Sequence, residues 1–174
     1  DDAFENCIAL RCVVLPNSLQ KIGNGIFRGC TSLEHAVLGN GIKRIPDGCF
    51  NNLQNLIDVT IAPDVVEFGD RAFLNCHKLK QVLFVDTKQS TALSGTDFES
   101  LVSGTSIDDQ KSFTLDALER IGESAFENCF VFDGLYLKYR LRVIGDFAFA
   151  NCRAMRTISL PKSIAVFGVG VFSG

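Results

Sequence analysis

Phenylalanine recurs every 23 residues in this chain. Phe4, Phe27, Phe50 and Phe73 are each 23 apart, and so are Phe126, Phe149 and Phe172. A fixed period of this length marks a solenoid, in which one repeat is one coil and no coil buries its apolar side chains without a neighbour. The period constrains the architecture more tightly than any local propensity. It says much less about what the chain binds.

The rest of the repeat follows from its phase. Counting from each Phe, apolar residues return at +6, +9, +11, +15 and +18, as in Leu10, Val13, Leu15, Leu19 and Ile22, or Met155, Ile158, Leu160, Ile164 and Phe167. The +9 and +11 residues alternate with their neighbours, the pattern of a short half-buried strand. Pro or Gly then ends it at Leu15-Pro16, Leu38-Gly39 and Leu160-Pro161. The +15 and +18 pair fits a second short extended piece or a 3₁₀ turn. The segment around the Phe, as in Glu123 to Cys129, reads as a helical turn. Gly follows the last apolar position at Gly23, Gly69, Gly122, Gly145 and Gly168, where a tight turn with positive φ is expected. Stacked coils would align their strands into a parallel sheet on one face.

The 53 residues between Phe73 and Phe126 contain Phe98, which divides them into steps of 25 and 28. Leu93, Leu118 and Ile121 keep the phase. This spacing predicts two further coils with insertions near 86–89 and 103–110. The expected organisation is one array over 1–174, seven coils plus the start of an eighth, without a linker or second domain. Both ends lie inside a repeat and neither carries a polar cap, so a fragment of a longer array is expected.

Two polar ladders accompany the apolar one. Asn stands at +2 in Asn6, Asn52, Asn75, Asn128 and Asn151, and side-chain bonding to free backbone groups is its expected role. Cys stands at +3 in Cys7, Cys30, Cys76, Cys129 and Cys152. Leu53 and Leu101 take the same position elsewhere, so the ladder thiols are expected to be free and buried. Disulfides are the rival reading, but the total of seven Cys is odd. No Cys-x₂-Cys spacing is present and zinc is not expected. Cys12 and Cys49 lie off the ladder. Cys12 should point outward and be the reactive thiol.

The segments Ile-Gly-Glu-Ser-Ala-Phe-Glu-Asn-Cys at 121–129 and Ile-Gly-Asp-Phe-Ala-Phe-Ala-Asn-Cys at 144–152, with Arg-Thr-Ile-Ser-Leu-Pro-Lys-Ser-Ile at 156–164, resemble the BspA-type (Treponema-type) leucine-rich repeat. The resemblance covers essentially the whole chain. It implies a curved right-handed leucine-rich-repeat solenoid, with a parallel β-sheet on one face and short turns, 3₁₀ or helical pieces elsewhere. It also implies a cell-surface or secreted recognition or adhesion protein, although intracellular members exist. Asn52-Leu53, where Cys is missing, and the two insertions depart from the pattern.

Composition narrows the function classes. Of 174 residues, 47% are hydrophobic, enough for a continuous core, and a net charge of −3 argues against nucleic acid. No apolar run approaches membrane-spanning length. The two His, His35 and His77, fall on a strand's outer face and in a turn, and neither belongs to a metal or nucleophile motif. Gly-Asn-Gly at 23–25 and 39–41 marks repeat turns, not phosphate loops. No Asn-x-Ser/Thr acceptor and no cofactor motif occurs, so no enzyme reading is favoured.

What remains is a noncatalytic protein-interaction module. The outward strand positions +8 and +10 should line one sheet face: Cys12 and Val14, His35 and Val37, Asp58 and Thr60, Gln81 and Leu83, Gly134 and Tyr136, Thr157 and Ser159. Val14, Val37, Leu83 and Tyr136 are more apolar than a solvated face requires, and Lys138 adjoins them. A second candidate is the basic edge formed by Arg140, Arg142, Arg153, Arg156 and Lys162. The expected partner is another protein. A scaffold subunit of a large assembly is the alternative reading. Carbohydrate binding is disfavoured by the lack of Trp.

Overall fold

The computed structural model describes residues 3–84, 116–135, 137–156 and 158–174. Short strands from successive coils form two parallel sheets. The first sheet runs β1 (Cys12–Val14), β2 (His35–Val37), β4 (Asp58–Ile61) and β6 (Gln81–Phe84). The second runs β3 (Arg44–Ile45), β5 (Glu67–Phe68), β7 (Arg120–Ile121), β8 (Val143–Ile144) and β9 (Val166–Phe167). The chain is therefore a parallel-stranded solenoid. The expectation of one sheet was too small: the +17 and +18 residues pair from coil to coil and make a second. Around each Phe the backbone forms turns, and no helix occurs among the described residues. A turn suffices there because N–H groups such as that of Phe126 donate to the next coil, here to Ala148 O at 2.8 Å.

The phenylalanine ladder is the spine of the core. Neighbouring rings stack with centroids 5.4 Å apart for Phe4 and Phe27, 5.2 Å for Phe27 and Phe50, and 5.1 Å for Phe50 and Phe73. Phe73 then stacks on Phe126 at 4.9 Å, and Glu67 pairs with Arg120 in the second sheet. That separation leaves no room for another layer. Phe73 and Phe126 are therefore successive rings of the spine, and the two coils expected between them fall on residues outside those described. Phe98 itself, and the insertions expected near 86–89 and 103–110, lie outside the described residues. Phe149 at 5.4 Å and Phe172 at 5.7 Å continue the column.

The glycine after β5, β7, β8 and β9 serves close approach. A Cβ on Gly122 would lie 2.5 Å from Asp70 Oδ1, and one on Gly145 would lie 2.5 Å from Glu123 N. Positive φ occurs two residues later instead, at Gly25, Gly48, Arg71, Ser124, Phe147 and Gly170, and again at the +2 Asn positions. The Asn side chains bond mainly to one another. Asn75 Nδ2 donates to Asn52 Oδ1 at 2.7 Å, Asn128 to Asn75 at 2.7 Å and Asn151 to Asn128 at 2.8 Å. Their role is thus a left-handed turn with an amide ladder beside it, for which Asn is the best-suited residue with a side chain.

Candidate functional site

The register of the first sheet places the expected contact face row by row. Cys12, His35, Asp58 and Gln81 stand side by side, and so do Val14, Val37, Thr60 and Leu83. Only part of that face is open. Val14 is 37% exposed, but Val37 and Leu83 are 1% exposed, and Asp58 and Thr60 are also buried. The expected apolar stripe is corrected accordingly. In a parallel sheet the neighbouring strand lies about 4.8 Å away, so Val37 and Thr60 are flanked on both sides and edge-strand Val14 on one. His35 and Gln81 are half-buried, and Ser159 is exposed. Tyr136 and Thr157 lie outside the described residues. Lys138 is half-buried and pairs with Asp116 at 2.8 Å.

The row contains a pairing that pattern reading missed. His35 Nδ1 and Asp58 Oδ2 are 2.9 Å apart, with the carboxylate almost wholly buried. Burial pushes the Asp58 carboxyl above its ordinary value, and the charge and hydrogen bond of His35 partly offset this. Both residues stand at +8, 23 apart, so their adjacency was available from the period alone. Cys12 is exposed as expected, yet burial of its sulfur and the charges of Glu34 and Asp58 raise its pKa. Its thiol is accessible but not activated.

The ladder thiols are bonded to the frame. Sγ of Cys30, Cys76, Cys129 and Cys152 donates to the main-chain oxygen of Phe4, Phe50, Phe73 and Phe126, at 2.9 to 3.2 Å. All seven Cys are free. Cys30, Cys49, Cys76 and Cys129 are buried, Cys152 is half-buried, and Cys7 is exposed, so burial fails at the first rung. Burial pushes the Cys49, Cys76 and Cys129 thiols far up and that of Cys152 up to about 12. Among the described residues no group of three His, Cys, Asp or Glu is placed to hold a metal ion.

On the outside of the second sheet, charges alternate. Glu67 accepts from Arg44 Nε and Arg120 Nη1, each at 2.8 Å, and Arg120 Nη2 reaches Asp70 at 2.6 Å. Burial alone would raise the Asp70 carboxyl, but Arg120, the Glu123 N–H and Arg44 together hold it below its ordinary value. Asp47, Asp70 and Asp146 also accept the backbone N–H of Asp70, Glu123 and Val169, joining successive coils. These carboxylates serve the frame.

One cleft interrupts it. The N–H groups of Gly69, Gly122, Gly145 and Gly168 donate to the preceding coil, but Pro46 in the same position has no N–H to give. A cavity of about 470 Å³ opens there, lined by Gln20 to Asn24, Lys43, Arg44 and Pro46. Two of its three cations are engaged: Lys43 with Asp64, and Arg44 with Asp47 and Glu67.

The basic residues behave differently. Arg140, Arg142, Arg153, Arg156 and Lys162 are all exposed, and among the described residues none of them has a carboxylate within ion-pairing distance. Arg153 instead lies 5.2 Å from the Phe130 ring centroid, and His77 stacks on Phe130 at 4.7 Å. His77 is therefore a member of a surface stack and not an isolated turn residue. No helix among the described residues is long and apolar enough to cross a membrane.

Comparison with known proteins agrees with this architecture. The profile of the BspA type leucine-rich repeat region matches six copies over residues 1–100 and 105–174. Among solved structures, a leucine-rich repeat protein from Eubacterium ventriosum is 23% identical with a TM-score of 0.56, and covers 100% of this chain and 33% of its own. One from Bacteroides ovatus is 19% identical with a TM-score of 0.53, covering 93% and 40%. A leucine rich cell surface protein from Faecalibacterium prausnitzii is 17% identical with a TM-score of 0.53, covering 94% and 41%. The chain thus spans well under half the length of each. No curated protein matches it by sequence. With the profile covering nearly every residue and a parallel-stranded solenoid as its fold, the chain belongs to the BspA-type leucine-rich repeat family.

Proposed function

We propose that the chain is a noncatalytic protein-interaction module of a cell-surface or secreted recognition protein, contacting its partner through the outer side of the first sheet and its continuation at Ser159. The observation that carries this reading is the division of labour among its polar groups. Inside and between the coils, thiols, amides and carboxylates are spent on hydrogen bonds to neighbouring coils. His35 is tied to Asp58, and the one outward thiol of the face is not activated. Nothing in that set is poised for acid–base or nucleophilic work. What varies from coil to coil is the outside, the property of a recognition surface on a repeat array. The neighbour named a cell surface protein supports the compartment.

Binding of the labelled chain to cell surfaces and to immobilised extracellular matrix proteins tests this. Val14→Asp together with Ser159→Asp changes two exposed positions and should lower binding at least tenfold without shifting the melting temperature. Unchanged binding would move the contact elsewhere. A scaffold subunit of a large assembly is the second reading. Sedimentation separates the two: a soluble monomer favours recognition, and aggregation without a partner favours the scaffold.

A further inference from the structure

The charges of this chain are segregated along the coil stack. Residues 138–174 contain six Lys and Arg against one carboxylate, Asp146, while residues 1–137 contain eleven against nineteen. Asp146 is already engaged, accepting the Val169 N–H at 2.8 Å. In the earlier coils Arg28, Lys43, Arg44, Arg71 and Arg120 each have a carboxylate partner. In the last two coils Arg140, Arg142, Arg153, Arg156 and Lys162 have none among the described residues. An exposed ion pair is worth little in itself. A run of unneutralised cations on a rigid frame nevertheless produces a local positive field that an acidic partner can occupy.

The frame brings these cations together from both sides. Ser163 Oγ donates to Leu141 O at 2.7 Å and Ala165 N donates to Arg142 O at 2.8 Å, so Lys162 stands one coil from Arg140 and Arg142. Arg153 and Arg156 precede the outward Ser159, and Lys162 follows it. Stacking on Phe130 holds the Arg153 guanidinium in place. Tyr139, 67% exposed, lies within the same run. Arg and Tyr on a rigid support are the residue types that dominate interface energetics. From Arg153 to Lys162 is nine residues, at most about 30 Å of extended chain.

We infer that the last two coils form a docking surface for an acidic protein segment of about eight extended residues, whose carboxylates meet Arg153 and Arg156 on one side and Arg142 and Lys162 on the other, with an apolar side chain against Tyr139. This rests on the interaction-module reading and names the partner chemistry for one of its surfaces.

The test uses the whole chain and a fluorescent twelve-residue peptide repeating Glu-Glu-Leu, with phosphatidylserine vesicles as a second probe. Anisotropy should show saturable peptide binding that weakens about tenfold between low and 0.3 M salt. Arg153→Glu with Arg156→Glu should lower affinity at least tenfold at 0.15 M salt. Arg11→Glu with Lys21→Glu makes the same change in net charge at two exposed cations of the first coil and should cost less than twofold. Equal loss from both pairs overturns the proposal in favour of general charge attraction. Absence of peptide binding overturns it as well, and vesicle binding without peptide binding assigns the surface to membranes instead. Melting curves of both variants confirm that they fold. Val14 lies on β1 at the opposite end of the coil stack from these cations, so Val14→Asp alone in the matrix and cell-surface assay keeps the broader proposal separately testable.

Discussion

The interior of the coil stack and its outer surface obey different rules. Inside, every described coil places the same groups in the same way: a Phe on the spine, an apolar residue at each inward strand position, and small residues where coils touch. Outside, equivalent positions diverge. The +8 row holds Cys12, His35, Asp58 and Gln81, and the +4 row passes from Ile8 through His77 and Phe130 to Arg153. The interior of one coil is the complement of the next, so a change there is felt twice. An outer residue meets only its lateral neighbours and solvent.

The largest break in that contrast comes from the spine. Phe126 stacks on Phe73, Phe132 and Phe149 and meets the edge of Phe68. Phe126→Ala should cost about 3–5 kcal/mol. Phe172→Ala, at a partly exposed ring of the last layer, should cost clearly less in the same urea titration. Equal losses would mean that the column is not one continuous core.

The amide ladder lies between interior and surface. Asn128 has φ of 61° and bonds to both Asn75 and Asn151. Asn128→Ala should cost about 1–2 kcal/mol, combining left-handed strain with two lost hydrogen bonds. Asn128→Gly keeps the turn and loses only the ladder, so it should cost less. If Gly costs as much as Ala, the ladder and not the backbone conformation is what the position selects.

Two outer carboxylates should respond to pH in opposite senses. Asp58 is raised by burial, so its contribution to stability is fully present below the unfolded-state value near 4 and is lost as pH rises through the folded value. Asp70 is lowered by Arg120 against its own burial cost, so its contribution is present above that range and is lost as pH falls through the folded value. Chemical denaturation between pH 2 and 7 should therefore show the disadvantage of Asp70→Asn shrinking in acid. Asp58→Asn should improve relative to the parent as pH rises. Parallel curves for the two variants would remove the distinction between the sheets' outer faces.

The smallest energetic effect is chemical labelling. Cys7 and Cys12 should react with a thiol reagent in the native state, Cys152 more slowly, and the remaining four only after unfolding. Melting should scarcely change on labelling Cys7 and Cys12. Rapid native labelling of Cys76 or Cys129 would show that the interior opens far more readily than its packing implies.

How much was legible follows the same division. The 23-residue period by itself determined the solenoid, the inward set, the Phe column and the equivalence of ladder positions, because stacked coils must present identical faces to one another. It also held the His35–Asp58 adjacency, since both stand at one phase. The tertiary structure alone decided three things. It set Phe73 directly on Phe126, because ring packing depends on which layers meet and not on how many residues lie between them. It buried Val37, Thr60 and Leu83 on a face that alternation marks as outward, because alternation gives direction and not cover. It left Arg140, Arg142, Arg153, Arg156 and Lys162 without carboxylates among the described residues while pairing Arg28, Lys43, Arg44, Arg71 and Arg120, because an ion pair depends on which side chains the register brings within reach.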